Sequence, residues 1–280
     1  MKTLKRHLTM TALACCTAFL TGCHDDDKTV TIGTIAGPET QLAEVAAEVA
    51  KQRYGLHIKI VTFSDYLQPN AALNDGALQA NIFQHAPYLN EQVAAHHYKL
   101  EVVGKTFVYP MGVYSKAFHN LAVLPEGSEV AIPNDPTNEG RALLLLQKAG
   151  LITLAPEAGL KATPHDITSN PKQLEFVELD AAQLARAYQD ADVAVINTNY
   201  AIPAGLLPSK DALFIEDKES PYANLIVVRT QDVNKPWVKE LVSSFQSQAV
   251  LDEANELFQG QVVAAFTPTP EVALDETSKK

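Results

Sequence analysis

The hydrophobic positions fall into short β-branched runs separated by helical stripes. Val30–Ile35 is an apolar run that ends at Ala36-Gly37-Pro38 and predicts a strand. Leu42, Val45, Ala46, Val49 and Ala50 follow at i, i+3, i+4, i+7 and i+8, the stripe of a one-sided helix that Gly55 stops. Leu56–Phe63 is nearly continuously apolar, as in a strand covered on both faces. A strand–helix–strand opening predicts a parallel α/β sheet.

The alternation continues along the chain. Ala80–Phe83 reads as a strand, and Pro87 suits the first turn of a helix reaching about Tyr98. Lys99–Tyr114 is extended and long, with Pro110 in mid-run, which marks a crossing between two lobes. Glu129–Pro133, Leu174–Leu179 and Val193–Ile196 are further strands. Asp135-Pro136-Thr137 opens a helix through Ala149, closed by Gly150. Tyr222–Arg229 is the return crossing, followed by helices over Lys235–Gln248 and Val250–Phe258. Two crossings make the first lobe discontinuous (29–110 with 221–267) and the second continuous (111–220). The predicted fold class is therefore α/β with two lobes, each a mixed, mostly parallel sheet flanked by helices, with a hinge between. The tail 268–280, with two Pro and a charged end, predicts disorder.

The N-terminus changes the picture. Lys2, Lys5 and Arg6 precede an apolar stretch from Leu8 to Leu20, too short for a stable membrane span, and Leu20-Thr21-Gly22-Cys23 follows. This is a lipoprotein signal (1–22), with Cys23 as the lipidated residue and 23–28 as a polar tether. Cleavage removes three basic residues, leaving 19 basic against 33 acidic and a formal charge of −14. That charge excludes nucleic acid as a partner. Cys15 and Cys16 leave with the signal, so no internal disulfide is available although the export route permits one. The lipid attaches the protein to a membrane in the cell envelope, facing the periplasm or exterior.

Ligands of two-lobed α/β proteins sit at the carboxyl ends of strands, in the cleft. Arg141 falls in the first turn of its helix, where a cation is disfavoured. Either a bound carboxylate, shared with free backbone N–H groups, or an ion pair with Glu139 or another acid accounts for it. Tyr66, Phe83, Tyr88, Phe107 and Tyr109 either wall an apolar slot or form ordinary core. His85 either donates to a ligand or caps its turn. Asn197 and Asn224 flank apolar strands, where a buried amide needs partners that a zwitterion can supply. No Gly-X-Ser-X-Gly, His-Glu-X-X-His or Walker-type loop is present, which leaves a catalytic or metal site unsupported.

Six segments, in order and spacing, carry a family resemblance: Val61-Thr62-Phe63-Ser64-Asp65-Tyr66, Ala80-Asn81-Ile82-Phe83-Gln84-His85-Ala86-Pro87-Tyr88-Leu89, Thr106-Phe107-Val108-Tyr109-Pro110, Pro133-Asn134-Asp135-Pro136-Thr137-Asn138, Val195-Ile196-Asn197-Thr198 and Glu216-Asp217-Lys218-Glu219-Ser220-Pro221-Tyr222. From about Val30 to Phe266 the chain resembles the NlpA family of methionine-binding lipoproteins, the substrate-binding components of ABC importers. The resemblance implies a two-lobed periplasmic-binding-protein fold of type II kind and no cofactor. It implies methionine as ligand, with L- and D-forms both open, and an ABC permease as partner. It also implies a site in which Arg141 holds the α-carboxylate and Asn197 and Asn224 bind polar groups. Tyr66, Phe83, His85, Tyr88, Phe107 and Tyr109 would surround the side chain, and Asn138 lies in the same motif set. A lipid-anchored surface interaction or adhesion protein on this scaffold, or a secreted hydrolase, are the competing readings.

Overall fold

The computed structural model describes residues 28–217 and 220–269. The signal, Cys23, residues 24–27 of the tether and the chain from 270 lie outside the described residues.

The chain begins with strand β1 (Thr29–Ile35), helix α1 (Pro38–Tyr54), β2 (His57–Phe63), α2 (Pro69–Asn74), β3 (Ala80–His85) and α3 (Ala86–His96). Strand β4 (Leu100–Val108) is followed by β5 (Gly112–Tyr114), β6 (Glu129–Pro133), α4 (Pro136–Lys148) and a small hairpin of β7 (Thr153–Leu154) and β8 (Ile167–Ser169). Then come β9 (Glu175–Leu179), α5 (Leu184–Ala187), β10 (Val193–Ile196), α6 (Thr198–Ala201), α7 (Pro208–Asp211) and β11 (Phe214–Ile215). The last elements are β12 (Ala223–Arg229), α8 (Pro236–Phe245), α9 (Gln248–Leu257) and β13 (Val263–Ala264).

Two sheets result. The larger has the order β13-β4-β12-β3-β1-β2 and the smaller β11-β5-β10-β6-β9. The chain leaves the larger sheet after β4, through Tyr109-Pro110-Met111, and returns between β11 and β12. Because β4 runs out and β12 runs back, they pair antiparallel, with Ala223 opposite Val108 and Arg229 opposite Leu100. The mostly parallel expectation is corrected by this. Strands β1, β2 and β3 are mutually parallel, as are β6, β9 and β10, while the pairings made by β12, β5, β11 and β13 are antiparallel.

Core residues follow the predicted stripes. Leu42, Ala43, Ala46, Val49 and Ala50 of α1 are buried, while Val45 is only partly so. Gly55 ends α1 in the left-handed region at φ 63° and donates to the Ala50 and Lys51 carbonyls, a conformation glycine adopts without strain. In the second lobe Val130, Ile132, Leu143, Leu146, Val193 and Val195 share one core. Strand β2 differs from expectation. Among the described residues it pairs only with β1, at the sheet edge, and His57, Lys59 and Thr62 are exposed on it. Two boundaries also move. Lys28 accepts from His57 N at 2.8 Å and so belongs to the fold rather than the tether. Thr269 donates to Gln246 O at 2.8 Å, so the folded chain passes the expected tail boundary at 268.

Helix α4 carries Gly140 against the backbone of the loop at Leu160. A Cβ at Gly140 would lie 2.3 Å from Leu160 O and 2.8 Å from its carbonyl carbon. Backbone cannot yield as a side-chain tip does, so Gly140→Ala is expected to lower stability by about 1–3 kcal/mol. A urea denaturation midpoint equal to that of the parent would refute the close approach.

Candidate functional site

Strands β3, β4 and β10 end, and helices α3, α4 and α6 begin, around one cavity between the two sheets. It is lined by Tyr66, Phe83, His85, Tyr88, Tyr109, Asn138, Arg141, Asn197 and Asn224, together with Gln84, Thr198 and Asn199. It is a narrow slot, with about 360 Å³ of space between its walls and at its mouth. Nine of the ten expected site residues thus meet. The tenth, Phe107, is a correction. It is fully buried in the core behind Tyr109, edge-on to Phe266 at 5.2 Å.

Arg141 sets the electrostatics. It is the sixth residue of α4, which places it in the second turn rather than the first. The helix start is already occupied, because Asp135 caps it by accepting from Asn138 N at 3.0 Å and from Thr137 Oγ1 at 3.0 Å. Arg141 is 4% exposed, so its charge needs a partner. That partner is Glu216, not Glu139. Nε donates to Glu216 Oε1 at 3.0 Å and Nη2 to Oε2 at 2.5 Å, a bidentate fork. Nη2 also donates to Tyr109 O at 2.9 Å, and the guanidinium carbon lies 4.3 Å from the Tyr222 ring centroid. Nη1 has no hydrogen-bond partner among the described residues and remains available.

The amides are oriented by a relay that starts at the same cap. Asp135 can only accept, so Asn138 turns Nδ2 toward it, donating to Oδ2 at 2.8 Å. Asn138 Oδ1 then faces Asn197, whose Nδ2 donates to it at 2.9 Å. Asn197 Oδ1 is left buried without a partner among the described residues. Tyr66 OH donates to Asn199 Oδ1 at 2.7 Å, which leaves Asn199 Nδ2 buried and unpartnered. One orphan acceptor and one orphan donor therefore stand beside a spare guanidinium nitrogen. Gln84 presents only its stem, since its head group pairs with Asn70 and Asn81.

His85 takes the capping role at α3, and it also lines the cavity. Its Nδ1 accepts from Tyr88 N at 3.2 Å, so Nε2 carries the proton and donates to Asn138 Oδ1 at 3.2 Å. Burial, with the Arg141 charge second, lowers its pKa to about 3. Tyr66, Phe83 and Tyr88 pack pairwise at centroid separations of 5.9 Å, with Tyr200 5.2 Å from Tyr66, and make the apolar wall.

Glu216, Glu39, Asn199, Tyr200 and Tyr222 are not among the ten expected site residues, although Asn199, Glu216 and Tyr222 lie in segments that flank them. Asn199 lies two residues from Asn197, and Glu216 follows a strand and opens a recognised motif, which were usable signals. Glu39 offers only its position after Gly37-Pro38.

Two sheets joined by two adjacent crossings, with a cavity at strand ends between them, define a two-lobed substrate-binding protein fold. Residues 30–266 match the family model described as NlpA lipoprotein, and the chain belongs to that family. It is 52% identical to the D-methionine-binding lipoprotein MetQ of Escherichia coli (strain K12), over 88% of this chain and 93% of that one. A solved nutrient-binding protein from Burkholderia cenocepacia, bound to methionine, is 52% identical with a TM-score of 0.83, covering 85% of this chain and 100% of that one. The crystal structure of the methionine-binding protein MetQ is 51% identical with a TM-score of 0.84, covering 86% and 99%.

Because His85 is held neutral, its ring should show no titration between about pH 5 and 8 in an NMR series. Its folded pKa lies below the unfolded value of about 6.5. It therefore contributes stability that is complete above that value and is lost as pH falls toward 3. A His85 resonance with a midpoint near 6.5 in the native protein would contradict the burial and the tautomer.

Proposed function

We propose that this chain captures free methionine in the slot between its lobes and hands it to an ABC permease, anchored to a membrane through lipid on Cys23. The lobes are residues 28–110 with 221–269, and 111–220. L-methionine is the ligand, and the D-enantiomer named for the curated relatives is a second one. The observation that carries this reading is the polar inventory of the slot. It offers Asn197 Oδ1 as acceptor and Asn199 Nδ2 and Arg141 Nη1 as donors, against an aromatic wall. A zwitterion supplies the complementary set, an ammonium that donates and a carboxylate that accepts. Buried polar atoms without partners are costly, so the slot gains most from a ligand that matches each of them.

The ring wall suits a thioether, since each sulfur–aromatic contact contributes about 0.3–1.5 kcal/mol. One methylene changes affinity by only about 1–3 kcal/mol, so unbranched analogues bind more weakly and are not excluded. Hydrogen bonds already cross between the lobes, from Tyr66 to Asn199 and from His85 to Asn138, which supports capture by closure. Hydrolysis is not supported. Both His85 nitrogens are committed to Tyr88 N and Asn138, and Thr198 Oγ1 donates to Pro110 O.

Arg141→Ala is expected to weaken methionine binding roughly 10- to 100-fold, and Asn224→Ala about tenfold, by titration calorimetry. Parent-like affinity in both variants would remove the slot as the binding site.

A further inference from the structure

Glu39 is a buried carboxyl that the site just described does not use. It is the second residue of α1 and is 4% exposed. Its Oε1 accepts from Asn224 Nδ2 at 2.6 Å, while Oε2 has no hydrogen-bond partner among the described residues. No lysine, arginine or histidine forms an ion pair with it among the described residues. The titratable groups around it are phenols: Tyr66 from the segment after β2, Tyr109 from the crossing after β4, and Tyr200 from α6. The neighbour on β12 is Asn224 itself. With Nδ2 held by Glu39, the atom that Asn224 can offer to the slot is its carbonyl Oδ1, an acceptor. Arg141 is already balanced by Glu216, so the lining has no anion left for a ligand ammonium.

We propose that Glu39 is the positioning residue that turns the Asn224 carbonyl into the slot, and that it releases its proton to solvent when a ligand ammonium is seated against that carbonyl. The inference rests on the zwitterion reading above and deepens it. Before binding, the neutral carboxyl is the favoured form, because burial pushes its pKa well above the usual carboxylate range. The Ile35 backbone and the Asn224 amide oppose this to a smaller extent. The ammonium brings a positive charge close behind Asn224 and favours the carboxylate. The Glu39 O–H bond breaks, its proton passes to buffer, and the ligand keeps all of its own protons. Binding therefore strengthens as pH rises toward the unliganded pKa of Glu39 and levels off above it. A ligand whose amine is acylated gains nothing from this charge.

The test is titration calorimetry of methionine into the detergent-solubilised full chain at about pH 6, in buffers of different ionisation enthalpy. The slope of observed enthalpy against buffer enthalpy counts protons released. A substantial fraction of one proton is expected from the parent, and none from Glu39→Gln. That variant keeps an acceptor for Asn224 yet should bind about tenfold more weakly. Glu139, whose pKa burial raises to about 7, is a second candidate for proton exchange, and Glu139→Gln should leave the release intact. Methionine binding without proton release overturns the inference while leaving the ligand reading in place. Release that persists in Glu39→Gln, or disappears in Glu139→Gln, also overturns it. Should Glu39→Gln fail to fold, the parent and Glu139→Gln decide. Failure of the parent to bind methionine removes the ligand reading and this inference together.

Discussion

A guanidinium withdrawn from water must be paired, and how Arg141 is paired governs the rest of the site. Its partner Glu216 follows β11, and its third acceptor, Tyr109 O, lies on the segment that leaves β4. One side chain of α4 is thus tied to both points where the chain changes sheets. The pairing is complete on two nitrogens, so the charge is neutralised at home and the third nitrogen can act without exposing a naked ion. Removing Glu216 would leave a buried cation, not a better ligand site.

The second constraint is amide orientation. An asparagine is symmetric in shape and opposite in polarity at its two ends, so a site built of asparagines is meaningless until each is pinned. Asp135 pins Asn138, Asn138 pins Asn197, and Tyr66 pins Asn199. The polarity of the slot is thereby inherited from a helix cap about sixty residues earlier in the chain than Asn197. A cap is ordinarily a matter of helix stability. Here the same carboxylate also decides which atoms face the cavity.

Much of this was legible in the residues. Glu129–Pro133 and Val193–Ile196 are β-branched or small apolar runs bounded by polar turns, and both are strands at those bounds. Pro110 between two extended runs marks the point where the chain leaves one sheet for the other. The site residues were legible because strand ends converge, so polar and aromatic residues at those ends become neighbours. What failed to show has physical reasons. The depth of Phe107 was hidden because the backbone turns at Tyr109-Pro110, where alternation no longer reports facing. The edge position of β2 was hidden because composition does not say which strand lacks a neighbour. Glu216 lies 75 residues from Arg141, and only the fold brings the two together.

The two crossings are neighbours as well as partners. Strands β4 and β12 are hydrogen-bonded along their length, from Leu100 opposite Arg229 to Val108 opposite Ala223. Both strands sit inside the larger sheet, with β13 beside β4 and β3 beside β12, so the two connections leave and return at adjacent, fixed points of one lobe. Two connections rooted at neighbouring points beside Tyr109 and Ala223 favour rotation of one half against the other over separation of the halves. A change in the angle between the halves would therefore bring the same atoms back together each time.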